Sequence, residues 1–193
     1  MKTIFASIAA IALSTGAALA GGHGWKSVAD QSVVAFGSIK KNTVGEVHHF
    51  TSVSGSVHDD GAVKVDIDLA SLETNIDIRN ERMMKHVFQN GAATATLAGE
   101  VDMDDVTSLA VGEVGMADFE GVLSLGGIDA DVEAEMVVAR LAENRVMVST
   151  ADFIMLSTAD LGITAGVDKL MELAKLPGIT RVTPVSIRMV FEK

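Results

Sequence analysis

The segment IDADVEAEMVV, residues 128–138, alternates apolar and acidic side chains from Ile128 to Met136. The even-numbered residues from Ile128 to Val138 are apolar, and the odd-numbered residues from Asp129 to Glu135 are acidic. A period of two is that of a β-strand with one buried face and one face in water. The segment therefore predicts a long strand in an antiparallel sheet, because such sheets bury a single face.

The same alternation recurs before and after this strand. Further segments that follow it are 32–40, 45–57, 63–69, 93–101, 114–125, 145–153 and 185–191. Turn residues separate several of them: Asp59-Asp60-Gly61, Gly126-Gly127 and Glu143-Asn144. Antiparallel strands with one apolar face must either close into a barrel or stack as two sheets, and closure also removes exposed edges.

Two segments depart from the alternation. Residues 76–90 and 166–176 space their apolar side chains as a helix does, with Thr74 or Asn75 as a candidate cap for the first. Pro177-Gly178 ends the second. We expect two short helices that pack on the sheet or plug one of its ends.

The first twenty residues resemble an export signal. Lys2 precedes an apolar run from Ile4 to Leu13, and Ala18-Leu19-Ala20 has the pattern that signal peptidase recognises. We expect cleavage after Ala20, which leaves one domain over residues 21–193. A retained N-terminal anchor is the alternative.

The composition disfavours some classes of binding partner and excludes some types of site. The chain of 193 residues carries 15 Lys and Arg against 26 Asp and Glu, a net charge of −11, which disfavours nucleic acids and anionic membrane surfaces. The absence of cysteine excludes disulfides and Cys-ligated metals. Apolar residues make up 48% of the chain but aromatic residues only 4%. Small apolar side chains could either leave a closed sheet hollow or form a compact core.

Residues that could carry chemistry are few. His48 and His49 are adjacent, so on a strand they point to opposite faces and cannot share a metal. No nucleophile elbow, phosphate loop or dinucleotide fingerprint is present in the sequence. Two alternatives stay open: an isomerase or hydrolase that uses His48 or His49, and a ligand-free stress-related interaction module whose barrel is packed shut.

Residues 71–88, SLETNIDIRNERMMKHVF, place amide and guanidinium groups beside methionines and a phenylalanine. Such a surface suits a ligand with a polar head and an apolar tail. The alternative is a helix whose apolar stripe packs on the barrel and whose arginines pair with acids.

Several pieces, taken in order, resemble the YceI-like family. They are Trp25 before SVVAF at 32–36, His49-Phe50 before SGSV at 54–57, VDID at 65–68 before SLET at 71–74, IRNERM at 78–83 before Val87-Phe88, and FEGVLSLGG at 119–127. The resemblance spans nearly all of the chain after residue 20. It implies a closed antiparallel lipocalin-like β-barrel in the periplasm. It also implies a non-enzymatic role: the barrel would sequester or carry an isoprenoid, a quinone or a similar amphipathic lipid.

The resemblance and the strand phases together predict the site. We expect no cofactor other than such a bound lipid, no metal, and transient contact with a membrane or a membrane b-type cytochrome. Candidates for the tunnel wall are Val34, Phe36, Phe50, Val65, Ile67, Phe119, Leu123, Ile128, Val132, Phe153, Ile187 and Met189, with Met83, Met84 and Phe88 as a movable lid. Candidates for the headgroup are His49, Asn75, Arg79 and Asn80.

Overall fold

The computed structural model describes residues 24–88 and 93–193. Its strands are β1 Gly24–Ser27, β2 Val33–Lys40, β3 Val44–Phe50, β4 Val53–His58, β5 Ala62–Asp68, β6 Leu72–Glu73, β7 Thr94–Val101, β8 Val114–Leu125, β9 Ile128–Ala142, β10 Arg145–Thr150, β11 Ile154–Ser157 and β12 Val182–Glu192. Its α-helices are α1 Asp77–His86, α2 Met103–Thr107 and α3 Thr164–Leu173. The predicted signal peptide, residues 1–20, lies outside the described residues.

The sheet closes on itself as an antiparallel barrel of eight strands. The ring runs β1-β4-β5-β7-β8-β9-β10-β12, and β12 pairs again with β1. The first half of β12 pairs instead with β2, which continues the sheet into β3 and β6. The predicted all-β lipocalin-like barrel is confirmed, and its closure leaves few unpaired edges.

Strand phase follows the sequence alternation wherever that alternation is unbroken. In β9, Val132, Met136 and Val138 are buried while the acidic residues between them are exposed. The hairpin from β8 to β9 turns at Gly126 and Gly127, whose φ angles are +58° and +83°. A turn with positive φ at both positions matches the twist of the two strands that it joins. Glycine adopts a positive φ without strain.

The sequence prediction differs from the structure in four places. Residues 45–57 form two strands, β3 and β4, rather than one. The sheet breaks after Thr150, so Phe153 lies in the segment between β10 and β11 with 68% of its surface exposed. Its predicted inward orientation is wrong. A third short helix, α2 at Met103–Thr107, adds to the two that the sequence predicts. Neither Thr74 nor Asn75 caps α1; the N-cap residue is Ile76, which makes no side-chain cap hydrogen bond.

Different helices lie at the two ends of the barrel. At one end, Met103 and Val106 of α2 line the same small cavity as Trp25, which is 3% exposed and has the Arg140 guanidinium 5.4 Å from its ring centroid. At the other end, α1 and α3 pack against each other beside the turn between β2 and β3. We call these the closed end and the mouth.

Candidate ligand-binding site

A cavity of about 530 Å³ opens at the mouth and extends into the barrel. We call it the large cavity. Its volume lies within the range of about 300–1,000 Å³ that is usual for small-molecule sites. Because it is lined by β2, β3, β5, β7, β8 and β12 as well as α1 and α3, the barrel wall and both helices shape it.

One wall of the large cavity is a row of aromatic side chains. Phe36 stacks on Phe50 with ring centroids 5.4 Å apart, and Phe50 meets Phe88 edge-on at 5.8 Å. His48 continues the row, edge-on to Phe36 at 5.2 Å. Rings at these separations attract one another and hold the wall rigid.

A polar cluster interrupts this apolar lining near the mouth. Glu46 accepts hydrogen bonds from Lys40, whose Nζ lies 2.7 Å away, and from Arg79, whose Nη1 lies 2.5 Å away. Arg79 also donates to the Thr74 carbonyl oxygen. His48 Nε2 lies 3.3 Å from the Ser38 hydroxyl. Charge-assisted bonds thus join two strand residues, Lys40 and Glu46, to Arg79 on α1.

Two nitrogen atoms of this cluster, His48 Nδ1 and Arg79 Nε, are buried without a hydrogen-bond partner among residues 24–88 and 93–193. A buried polar atom without a hydrogen bond is costly. Both residues line the large cavity. A polar ligand group that enters there could complete their hydrogen bonds.

Electrostatics keeps His48 neutral and Glu46 charged. Burial lowers the pKa of His48 to about 4, and the nearby Arg79 charge adds to the effect. Partial burial alone would raise the pKa of Glu46, but hydrogen bonds from Lys40 and Arg79 outweigh it and hold that pKa below its usual range. At neutral pH the cluster therefore presents a neutral imidazole and two cations that share one carboxylate.

A second, smaller cavity of about 80 Å³ lies toward the closed end and is lined by apolar side chains with Trp25 among them. The two cavities share no lining residue. On β5, Ile67 faces the large cavity and Val65 the small one; on β12 the corresponding pair is Val185 and Ile187. The interior is therefore hollow but is not one continuous tunnel.

The structure divides the predicted tunnel residues into three groups. Those that line the large cavity are Val34, Phe36, Phe50, Ile67, Met83, Phe88 and Leu123. Those that line the small cavity are Val65, Phe119, Ile187 and Met189. Those that line neither are Met84, Ile128, Val132 and Phe153.

The four residues outside both linings have distinct positions. Val132 is 4% exposed and pairs with Gly121, which on β8 lies between Phe119 at the small cavity and Leu123 at the large one. Met84 is half-buried against the core from α1. Ile128 is 41% exposed at the start of β9, where the strand leaves the barrel, and Phe153 is exposed in the segment between β10 and β11.

Of the predicted headgroup residues, the structure places only Arg79 on the cavity lining. His49 lies on the outer side of β3, because its neighbours His48 and Phe50 face inward; the expected orientation of His49 is wrong. Asn75 occupies the turn before α1 with φ +61°. Asn80 accepts a hydrogen bond from the Thr74 backbone at 3.0 Å, so it holds that turn rather than facing the cavity.

Sequence reasoning missed Ser38, Lys40 and Glu46, and it assigned the headgroup to His49 rather than to its neighbour His48, which lines the cavity. The spacing indicates where Glu46 and His48 lie, because they stand four and two residues before Phe50 and therefore share its face of the strand. The alternation in β3 is obscured by Val47, an apolar residue that is 60% exposed. No group of three or more His, Asp and Glu side chains in residues 24–88 and 93–193 is placed to hold a metal.

The fold and this site define a class of protein: a closed antiparallel barrel with an internal apolar cavity and a polar cluster at its mouth. The model of the YceI-like domain matches residues 25–190. The chain belongs to the YceI-like family.

Solved structures agree with this assignment. A polyisoprenoid-binding domain from Saccharophagus degradans, implicated in plant cell wall breakdown, is 34% identical, with a TM-score of 0.83 over 87% of this chain and 97% of that one. BcnA from Burkholderia cenocepacia has a TM-score of 0.63 and 16% identity over 82% of this chain and 95% of its own, so that likeness concerns the fold. Comparison with curated protein sequences found no significant match. None of the helices in the described residues is both long and apolar enough to span a membrane.

Proposed function

We propose that this protein binds a long-chain isoprenoid, a quinone or a similar amphipathic lipid, with the tail in the large cavity and the head at the polar cluster. The observation that carries the proposal is the cavity itself, which is hollow and mainly apolar inside. Where it becomes polar, nitrogens of His48 and Arg79 have no hydrogen-bond partner in the part of the chain that the structure describes. Similarity to the polyisoprenoid-binding domain at 34% identity supports it.

Burial of the tail supplies the affinity. Each methylene transferred from water contributes about 0.8 kcal/mol. If each non-hydrogen atom takes about 30 Å³, the share of a water molecule in the liquid, a cavity of about 530 Å³ holds about 18 of them. That corresponds to between three and four five-carbon isoprene units.

The polar cluster supplies orientation. His48 Nδ1 and Arg79 Nε are matched to oxygen atoms on a ligand, which a quinone or an isoprenoid head carries. Because a neutral histidine can carry its proton on either ring nitrogen, His48 can donate to or accept from that head.

We further propose that the role is non-enzymatic and periplasmic, after removal of residues 1–20. His48 has the Ser38 hydroxyl as its hydrogen-bond partner, and Glu46 is already held by two cations. Within the described residues His48 therefore lacks the acidic partner that orients a catalytic histidine.

Native mass spectrometry of delipidated protein mixed with geranylgeraniol, or with a short-chain ubiquinone, tests the proposal. Wild-type protein is expected to form a one-to-one complex. An Ala95→Trp variant should lose it, because Ala95 is 5% exposed on the cavity wall and a large ring would fill the space.

Ala98 provides the matched control, since it lies on the outer face of the same strand, β7. An Ala98→Trp variant should bind as wild type does. Absence of any complex with wild-type protein, or equal binding by the Ala95→Trp variant, would contradict the proposal.

A further inference from the structure

The mouth of the large cavity has a rim of exposed side chains. Lys41 comes from the turn between β2 and β3, Ile76 and Ile78 from the start of α1, and Ala174 and Lys175 from the end of α3. All five are exposed and also line the large cavity. We call these five residues the rim.

Charge at the mouth is opposite to that of the chain as a whole. Of 15 basic residues in the chain, Lys40, Lys41, Arg79, Arg82 and Lys175 line the large cavity, whereas Glu46 is the one acidic side chain of 26 that does so. Glu46 is paired with Lys40 and Arg79. In the described residues, Lys41, Arg82 and Lys175 have no carboxylate within ion-pair distance. The mouth is a positive region on an acidic protein.

Apolar side chains accompany these cations. Ile76 is 43% exposed and Ile78 is 51% exposed, on either side of Asp77 in the first turn of α1. Exposed isoleucines beside lysines are the composition of surfaces that enter the boundary between lipid headgroups and acyl chains.

Backbone conformation sets the two rim lysines apart. Lys41 has φ +52° and Lys175 has φ +50°, in the left-handed region that favours glycine. The Lys41 N–H donates to the Gly178 carbonyl at 3.0 Å, which ties the strand turn to the segment that follows α3. Lysine therefore occupies two positions where glycine would fit the backbone better.

We propose that the rim docks on the surface of an anionic lipid bilayer, so that the large cavity opens toward the lipid. The proposal rests on the lipid-binding function proposed above and names where the ligand is taken up or released. Lys41 and Lys175 would contact anionic headgroups while Ile76 and Ile78 enter the headgroup layer. The net charge of −11 repels the same surface, so docking is confined to this orientation.

Co-flotation with vesicles tests the docking. Wild-type protein is expected to float with vesicles in which phosphatidylglycerol replaces a third of the phosphatidylcholine, and not with phosphatidylcholine alone. Higher salt should weaken the binding. Each rim lysine removed should weaken it about fivefold. The double variant Lys41→Gly with Lys175→Gly removes both charges, and its melting temperature should equal or exceed that of wild type because glycine suits both positions.

Two further variants test the apolar contribution to docking and the location of the docking surface. Ile78→Ser should weaken binding several-fold at every salt concentration, because its contribution is apolar. Lys26→Gln removes an exposed lysine from β1 at the closed end and should bind within twofold of wild type.

Equal flotation with both kinds of vesicle, or a loss with Lys26→Gln as large as that of the double variant, would overturn the docking proposal. Uptake of geranylgeraniol by wild-type protein without vesicles decides the lipid-binding function separately. Uptake without flotation would reject the docking alone, whereas flotation without uptake would reject the function.

Discussion

At the scale of single residues, His48 shows how a polar side chain is accommodated in an apolar interior. It is 3% exposed, lies in an aromatic row and shares a hydrogen bond with Ser38. The barrel disfavours its charged form, as the lowered pKa shows. Protonation of His48 therefore opposes folding.

Stability should consequently depend on pH through His48. Its folded-state pKa is about 4 against 6.5 for the free side chain. Above pH 6.5 both states are neutral; as pH falls toward 4 the unfolded chain takes up the proton first and stability is lost, by up to about 3 kcal/mol. Below about pH 4 the folded protein is protonated too, and His48 adds no further loss.

Urea denaturation between pH 4.5 and 6.5 measures this contribution, since the carboxylates of lowered pKa titrate mainly below that range. A His48→Phe variant keeps the aromatic row and should lose less stability than wild type as pH falls. If the free energy of unfolding fell equally steeply with pH in the two proteins, His48 would not be held neutral by burial.

At the scale of elements, the packing of α1 against α3 forms one side of the mouth. Gly166 lies in the first turn of α3, and a Cβ there would stand 2.2 Å from the His86 carbonyl oxygen and 2.7 Å from Val87 Cα. These are backbone atoms at the end of α1 and cannot move without shifting the helix. The absence of a side chain at Gly166 allows the two helices to touch.

A Gly166→Ala variant should therefore lose about 1–3 kcal/mol of stability through overpacking. Gly45 is the control, because a Cβ at that position has nothing within 4 Å and the Gly45→Ala variant should be neutral. Thermal unfolding of both variants makes the comparison. A Gly166→Ala protein as stable as the control would mean that the helices do not pack as closely as described.

The strands and helices also show how much of the fold can be predicted from the sequence. The strands at 63–69, 128–136 and 185–189 are predicted in the correct phase because polar and apolar residues alternate there without interruption. Phe153 was misplaced because three residues leave the sheet after Thr150, and periodicity does not reveal a break. Arg79 is predicted at the cavity from its position beside apolar helical residues. Glu46 is missed, and His49 is chosen for the headgroup instead of His48, because Val47 hides the phase of β3.

At the scale of the whole molecule, the barrel is closed at the Trp25 end, open at the other, and divided between two cavities. Val132 pairs with Gly121 on β8, between residues that line one cavity and residues that line the other. A tail that enters from the mouth can fill the large cavity before it meets this pair. The length of tail that is buried is therefore set by the fold.

The affinity for a lipid should depend on how much of its tail the large cavity can bury. Isothermal titration with prenyl alcohols of increasing size should show binding that strengthens with each isoprene unit up to between three and four units, where the large cavity is full. Longer alcohols should gain little, because further units would have to remain outside the mouth. Equal gains for every added unit would show that the large cavity opens to the small one.

The central claim is that the hollow of the barrel holds a lipid, and a native mass spectrum of the protein purified from the cells that make it tests this most directly. We predict a species heavier than the polypeptide by one amphipathic lipid. The extra mass should disappear after organic extraction and be absent from the Ala95→Trp variant. A spectrum with the polypeptide mass alone, from protein that also takes up no added isoprenoid or quinone, would contradict the claim.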